Sequence, residues 1–270
     1  MKNLTYSEPA LYDLAFSYRD YKYEVAALNR WFKIINRTAS VPNSVLELAC
    51  GPGRHILEFS RVGIPGVGVD VSSDMFRHAR WLSAQQSAST EIIITDMSEF
   101  ELSRRFDLVM LLINSVCHIP DEYSLISHLK SVSRHLSNSG VYIIEAACHG
   151  QIVEAGESEW CEESGQDKVN ICWSWDQDFD YVQMRGHIGD REIDIDEKFP
   201  MRRWRTQELV SIAETVGLKL IGHYGEFDDE YSSALRMSRK FESKTTMQCC
   251  LAFVNSITEE SCWSKRHNQR

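Results

Sequence analysis

The spacing of apolar residues changes several times along the chain, and each change marks an element. Between residues 20 and 37, Val25, Leu28, Phe32 and Ile35 recur at intervals of three and four, which places them on one helical face and predicts a packed helix. VLELA (45–49) is a short apolar run closed by the loop CGPGRH, after which Ile56, Phe59 and Val62 return to helical spacing. The alternation continues with a strand at GVGVD (66–70), a helix over 72–86 capped by Ser72 or Ser73, and a strand at EIIITD (91–96). FDLVMLLI (106–113) reads as a strand, 121–137 as a helix through Leu125, Leu129, Val132 and Leu136, and GVYIIEA (140–146) as a strand. Strands that are apolar on both faces and separated by helices predict a parallel sheet covered on both sides.

From about 150 to 205 the pattern becomes short and alternating, in VNICWSW, YVQMRGHI and REIDIDEKF, which predicts antiparallel strands with tight turns. This insert is expected over the ligand edge of the sheet. A helix opened by Thr206 follows, then KLIGHY, a polar loop, TMQCCLAFVN and a tail expected to be loose. There are no internal repeats or low-complexity tracts, so one domain with an insertion is expected.

Composition narrows the function classes. With 270 residues, 43% hydrophobic and 25% charged, the chain is long enough to bury roughly 70–75% of its unfolded surface. A formal net charge of -10 argues against a partner with a long phosphate backbone, and Arg202, Arg203 and Arg205 read as a solvated strand face. Eight cysteines without any CxxC pair, several inside apolar runs, are expected to be reduced, buried thiols. No segment approaches the roughly 20 apolar residues of a membrane span, and the N-terminus lacks the apolar run of a signal peptide, so a cytoplasmic protein with no membrane partner is expected. No clustered ligand motif for a metal is present.

The chemistry is concentrated in Glu47-Leu-Ala-Cys-Gly51-Pro-Gly53-Arg-His. In an open parallel sheet, ligands bind at the carboxyl ends of strands, where a glycine loop lets backbone approach them closely. Asp70 ends the next strand, where its carboxylate can accept both hydroxyls of a ribose. A dinucleotide fold requires a third glycine in G-x-G-x-x-G, and position 56 is Ile, which disfavours a nicotinamide-dependent oxidoreductase.

The loop resembles that of the class I S-adenosylmethionine-dependent methyltransferases, E/D-x-G-x-G-x-G, with Ala49 in place of the first glycine. The resemblance covers residues 40–255 and implies a Rossmann-like, doubly wound, seven-stranded, mostly parallel sheet, with the antiparallel insert as a lid. It implies three regions: a helical cap over the cofactor at 1–40, a core at 41–150 and 206–256, and the insert at 151–205. It also places Asp70 on the ribose, Asp96 at the adenine amine and Met97 against the ring, with Glu47, Ala49, Gly51, Gly53, Val71, Met75, Leu112 and Ser115 around the cofactor.

The opening Leu11-Tyr12-Asp13-Leu14 with Arg19-Asp20-Tyr21 and Glu24 resembles that of small-molecule N-methyltransferases that dimethylate nucleotide-linked amino sugars. In that group the opening tyrosines and basic residue close over the methionine half of the cofactor, which implies roles for Tyr12, Tyr18, Arg19 and Tyr21. Asn114-Ser115-Val-Cys-His118 resembles the S-S-x-G-H-L stretch of the same group, with Cys117 where glycine is usual. His118 then faces the acceptor, with Tyr12 and Tyr21 as further catalytic candidates and Glu145, His149, Trp173 and Trp175 as acceptor-binding candidates. The insert interleaves Trp160, Trp173, Trp175, Phe179 and Tyr181 with acids including Asp176, Asp178 and Asp180, a mixture suited to organic cations, although many such acids are simply solvated turn residues. The expectation is methyl transfer from S-adenosylmethionine to a small molecule, with S-adenosylhomocysteine as product and nitrogen favoured over oxygen as acceptor. A small-molecule O-methyltransferase and a catalytically silent cofactor binder are the alternatives. A monomer or homodimer is expected.

Overall fold

The computed structural model describes residues 4–37, 39–86, 88, 90–148, 154–225 and 247–256. Its core is a seven-stranded sheet built from β1 (Val45–Leu48), β2 (Gly66–Asp70), β3 (Glu91–Ile94), β4 (Phe106–Leu111), β5 (Leu136–Cys148), β10 (Leu218–Gly225) and β11 (Met247–Asn255). The spatial order is β10-β11-β5-β4-β1-β2-β3, and β11 runs antiparallel to both its neighbours. Chain order reverses between β1 and β4, so the carboxyl ends of these adjacent strands diverge there and leave a crevice. A second sheet, β6 (Gly156–Ser164), β7 (Asp167–Trp175), β8 (Phe179–Ile188) and β9 (Arg191–Pro200), is an antiparallel meander.

Two-residue alternation divides each central strand between two cores. Leu46, Leu48, Val109, Leu111, Tyr142, Ile144, Leu251 and Phe253 point to one side, where they join Leu125, Leu129 and Val132 of α5 (Glu122–His135). Val45, Leu108, Met110, Val141, Ile143 and Ala252 point to the other, against α2 (Tyr21–Asn36) and α3 (Arg54–Arg61). On α2, Val25, Leu28 and Phe32 are buried as their spacing predicts, and Trp31 stacks on Tyr224 at 4.7 Å. Helix starts follow side-chain chemistry: Asp20, Ser72 and Asp121 accept from Tyr23 N, Met75 N and Ser124 N at α2, α4 (Ser73–Gln85) and α5. At α6 (Thr206–Thr215), Glu208 reaches back to the N–H of Arg205 at 2.9 Å.

Several sequence expectations are corrected. The helix expected over 121–137 stops at His135, because Leu136 pairs with Phe106 and already belongs to β5. The insert has a fourth strand, β6, whose acid-rich sequence hides its alternation until Glu157 to Ser164 are registered against β7. A separate helix, α1 (Pro9–Ala15), precedes α2, with proline at its first position, where no N–H is required. Cys50, Cys117, Cys161, Cys172 and Cys250 are free thiols, but Cys249 is disulfide-bonded, a contact made by the fold and carried by no spacing motif. Arg203 is not on a solvated face: it is 7% exposed and paired with Asp180. The expected loose tail falls largely on 257–270, outside the described residues. Among the described residues no helix is long and apolar enough to cross a membrane.

The loop after β1 lies directly on β2 at Gly68, where a Cβ would approach Cys50 Sγ and Ile56 Cδ1 to 2.6 Å. Gly68→Val should therefore lift the loop and α3 together, destabilising the protein by about 1–3 kcal/mol in chemical denaturation. A midpoint within error of the parent would show that the loop does not depend on this close approach.

Candidate active site

A cavity of about 1240 Å³ opens at the carboxyl edge of β1 to β4, walled by the N-terminal segment on one side and the second sheet on another. Three residues of the loop below it have left-handed backbone: Ala49 (φ 51°), Gly51 (φ 50°) and Gly53 (φ 73°). Ala49 fits the turn in place of the glycine of the motif, at a steric cost of about 1–2 kcal/mol for an L-residue. Space above Gly51 is open, with nothing within 4 Å of a Cβ placed there, so the backbone forms a cradle. Beside it, Asp70 accepts from Gly51 N and Ser72 N, both at 2.8 Å, which fixes the carboxylate at the cavity wall. Burial pushes its pKa up, opposed by these backbone donors.

Asp96, Met97, Val71 and Met75 also line this end, and Asp96 accepts from Ser98 N at 2.7 Å. The loop they occupy is pinned from below by one stripe of α5. His128 Nδ1 donates to the carbonyl of Met97 at 2.7 Å and its Nε2 accepts from the Tyr142 hydroxyl at 2.6 Å. Ser131 Oγ accepts from Phe100 N and His135 Nε2 from Leu102 N. Residues spaced three and four apart therefore hold three successive points of the loop. Burial lowers the pKa of His128 to about 4, so it stays neutral and keeps that donor pattern.

Also in the wall, Ser115 and His118 sit on a 3-10 turn preceded by Ile113 and Asn114, both with φ near +55°. Asn114 Oδ1 accepts from Ala147 N at 3.0 Å and anchors the turn on β5. His118 Nε2 lies 2.9 Å from the hydroxyl of Tyr6, a partner that sequence reading missed because it is 112 residues away and carries no local signal. Burial depresses the imidazole pKa and raises that of the phenol, so both are neutral near pH 7. Tyr12, Tyr18, Trp173 and Trp175 also line the cavity, together with Phe16, Trp160 and Arg203.

The remaining candidates are placed elsewhere. Arg19, expected over the cofactor, is buried between Glu24 (3.0 Å) and Glu145 (3.3 Å). Glu145, expected to bind the acceptor, is 1% exposed and instead accepts from Ile113 N at 2.8 Å. Glu47 hydrogen-bonds His55 at 2.8 Å, and its other oxygen is buried without a partner among the described residues. Tyr21, expected to be catalytic, donates to the carbonyl of Phe16 and packs edge-on to His55. Gly53 caps α3, and Leu112 is buried in the core. None of these six lines the cavity: ion pairing and packing behind the wall use the groups that motif position alone assigned to a ligand. His149 lies outside the described residues.

The strand order, the crevice and the loop with its acid at the end of β2 define the class I S-adenosylmethionine-dependent methyltransferase fold. Residues 45–140 match the family model of the methyltransferase domain. Among curated proteins it is similar to a dTDP-3-amino-3,4,6-trideoxy-alpha-D-glucopyranose N,N-dimethyltransferase of Streptomyces venezuelae, 29% identical over 135 residues. That match takes in 50% of this chain and 55% of the relative, so the chain spans about half the length of that relative. Among solved structures it is similar to DesVI of Streptomyces venezuelae (TM-score 0.73, 19% identity, 91% of this chain and 97% of that one). It also resembles an S-adenosylmethionine-dependent methyltransferase from Clostridium acetobutylicum (TM-score 0.72, 19% identity, 90% and 96%).

His55 Nε2 also meets Glu24 at 2.7 Å, and although burial opposes its charge, the two carboxylates raise its pKa from 6.5 to about 9. A folded pKa above the unfolded one stabilises fully below pH 6.5, and that contribution is lost as pH rises through 9. Melting temperature should accordingly fall across that window, and His55→Gln should flatten the slope while lowering the melting temperature at its acid end. A slope unchanged by the substitution would remove His55 as its source.

Proposed function

We propose that this protein transfers the methyl group of S-adenosylmethionine to a small, nitrogen-bearing acceptor that is cationic at neutral pH. The observation that carries the reading is one cavity walled by two chemically distinct groups: Asp70 with the open cradle of Gly51, and the neutral His118–Tyr6 couple. The names of the amino-sugar relatives, all N,N-dimethyltransferases, support nitrogen as the acceptor atom. In this reading residues 1–40 form the cap, 41–150 and 206–256 the core, and 151–205 the lid. The cofactor supplies an activated methyl group as a sulfonium.

This chain's residues then bind, orient and exclude water. Asp70 suits the ribose hydroxyls, and Asp96 and Met97 suit the adenine, with Ala49, Val71, Met75 and Ser115 completing that wall. Tyr12 and Tyr18 close from above, and Trp173 and Trp175 offer ring faces to an organic cation. Holding two reactants in attack geometry supplies roughly 7–11 kcal/mol of a barrier. A protonated amine has no lone pair, and His118, with its depressed pKa, is a weak sink for that proton. The couple therefore orients the deprotonated fraction of the amine, and the rate follows the amine's own ionisation.

Three outcomes test this. S-adenosylhomocysteine should raise the melting temperature where NAD does not, and Asp70→Ala should weaken that binding by about 1–3 kcal/mol. Turnover should rise with pH through the bound amine's ionisation, while His118→Ala slows turnover more than it weakens the cofactor. Binding of S-adenosylhomocysteine without methylation across amines, guanidines and phenols would favour the silent binder, and methylation confined to phenols would favour the O-methyltransferase.

A further inference from the structure

The acceptor end of the cavity contains a charge pair that orientation by His118 and Tyr6 does not use. Arg203 and Asp180 both lie in the wall, with side chains 4% and 6% exposed, joined by a hydrogen bond from Arg203 Nη2 to Asp180 Oδ1. Trp173 Nε1 donates to the other oxygen of Asp180 at 2.8 Å. Arg203 Nε donates to the carbonyl of Asp176 at 3.2 Å, and Nη2 to that of Phe179 at 3.0 Å. The segment after β9 that carries Arg203 is sewn to the turn that holds His118: Arg202 N donates to the carbonyl of Cys117 at 2.8 Å, and Trp204 Nε1 to that of Ile119 at 3.1 Å. His118 lies between those two carbonyls in sequence.

A guanidinium has five N–H donors. Nε and both hydrogens of Nη2 are taken, and the two on Nη1 have no acceptor among the described residues. Arg203 stands in the cavity wall, so these two donors are available to an oxygen of whatever fills the cavity. The charge of the wall restricts that oxygen. The described lining residues carry five carboxylates, Asp70, Asp96, Glu159, Glu162 and Asp180, to the one guanidinium of Arg203. Asp70 and Asp96 serve the cofactor in the reading above and Asp180 already neutralises the cation, which leaves Glu159 and Glu162 as the acids that an acceptor would meet.

We propose that Arg203, through Nη1, selects acceptor amines carrying an uncharged oxygen, such as a hydroxyl, ether or carbonyl, and that the surrounding acids reject phosphorylated acceptors. The inference rests on the methyl-transfer reading above and deepens it. It also separates this chain from the relatives whose names specify dTDP-linked sugars.

The test compares wild type with Arg203→Lys, which keeps the charge and loses the planar fork, and with Arg203→Met combined with Asp180→Asn, which removes both charges. Each variant is first shown to retain the thermal shift with S-adenosylhomocysteine. Glucosamine and cyclohexylamine present an amine on a six-membered ring with and without oxygens. Wild type should prefer glucosamine in kcat/KM by about ten- to a hundredfold, the range of one hydrogen bond from a charged donor. In both variants the preference should collapse, chiefly through KM, and wild type should use glucosamine phosphate at least about tenfold less well than glucosamine. A preference that survives both variants, a wild type that prefers cyclohexylamine, or a phosphate that improves the substrate would overturn the proposal. Binding of S-adenosylhomocysteine with no methylation of any amine would instead sink the underlying amine reading.

Discussion

Five charged side chains buried in a row hold the ligand edge of this fold together. Glu145 meets Arg19, Arg19 meets Glu24, Glu24 meets His55 and His55 meets Glu47, every one of them less than a tenth exposed at its side chain. Taking a carboxylate out of water costs several kcal/mol, and three of them are tolerable here because a guanidinium and a protonated imidazole lie between them. Arg19 comes from the N-terminal segment, Glu24 from α2, His55 from α3, Glu47 from β1 and Glu145 from β5. The core edge is therefore electrically complete only when the segment before α2 has docked. The same Glu145 carboxylate holds Ile113 N, which fixes the left-handed turn that aims Ser115 and His118. Charge compensation behind the wall thus sets the geometry in front of it.

A second bracket joins the same segment to the other elements around the cavity. Asp13 of α1 accepts from Arg54 Nε at 2.7 Å and Nη2 at 2.6 Å, and pairs with His78 of α4 at 2.9 Å. Glu197 of β9 accepts from Leu4 N, Thr5 N and Thr5 Oγ1, and Trp160 of β6 donates to the carbonyl of Ala15 at 2.7 Å. The N-terminal segment that touches both the core sheet and the meander supplies Tyr6, Tyr12, Phe16 and Tyr18 to the cavity walls. The aromatic packing continues across it, from Tyr12 to Phe16 at 4.6 Å and from Phe16 to Trp160 and Trp173 at 6.1 Å.

What was legible in the sequence is what depends on local periodicity. The strands and helices of the core follow from spacing, and the loop with Asp70 follows from glycine placement at a strand end. Contacts between distant segments were not legible. Tyr6 reaches His118 only because the N-terminal segment folds over the edge, and Arg203, in the segment after β9, pairs with Asp180 of β8, so a run that reads MRRWR as surface charge gives no warning that its middle arginine is buried. Arg19 and Glu145 were assigned to ligands because of where their motifs stand, yet opposite charges that can meet in a dry interior satisfy each other first. Strand β6 was hidden for the opposite reason: one face of it meets solvent and carries acids, so its period emerges only from its partner.

Three histidines, His55 and His128 fully buried and His118 half-buried in the cavity wall, differ in protonation. Between two carboxylates, His55 is raised to about 9 and serves as a cation. Between a carbonyl and a phenol, His128 is lowered to about 4 and serves as a fixed donor and acceptor. His118, beside the phenol of Tyr6 and with Asp180 as its opposing charge, is lowered as well. Asp180 opposes that shift, but desolvation of the ring outweighs it. This part of the cavity wall is thus free of a strong base. Under the proposed methyl transfer this is workable, since displacement at a sulfonium needs a placed lone pair more than a strong base, and placement is what this polar framework is built to provide.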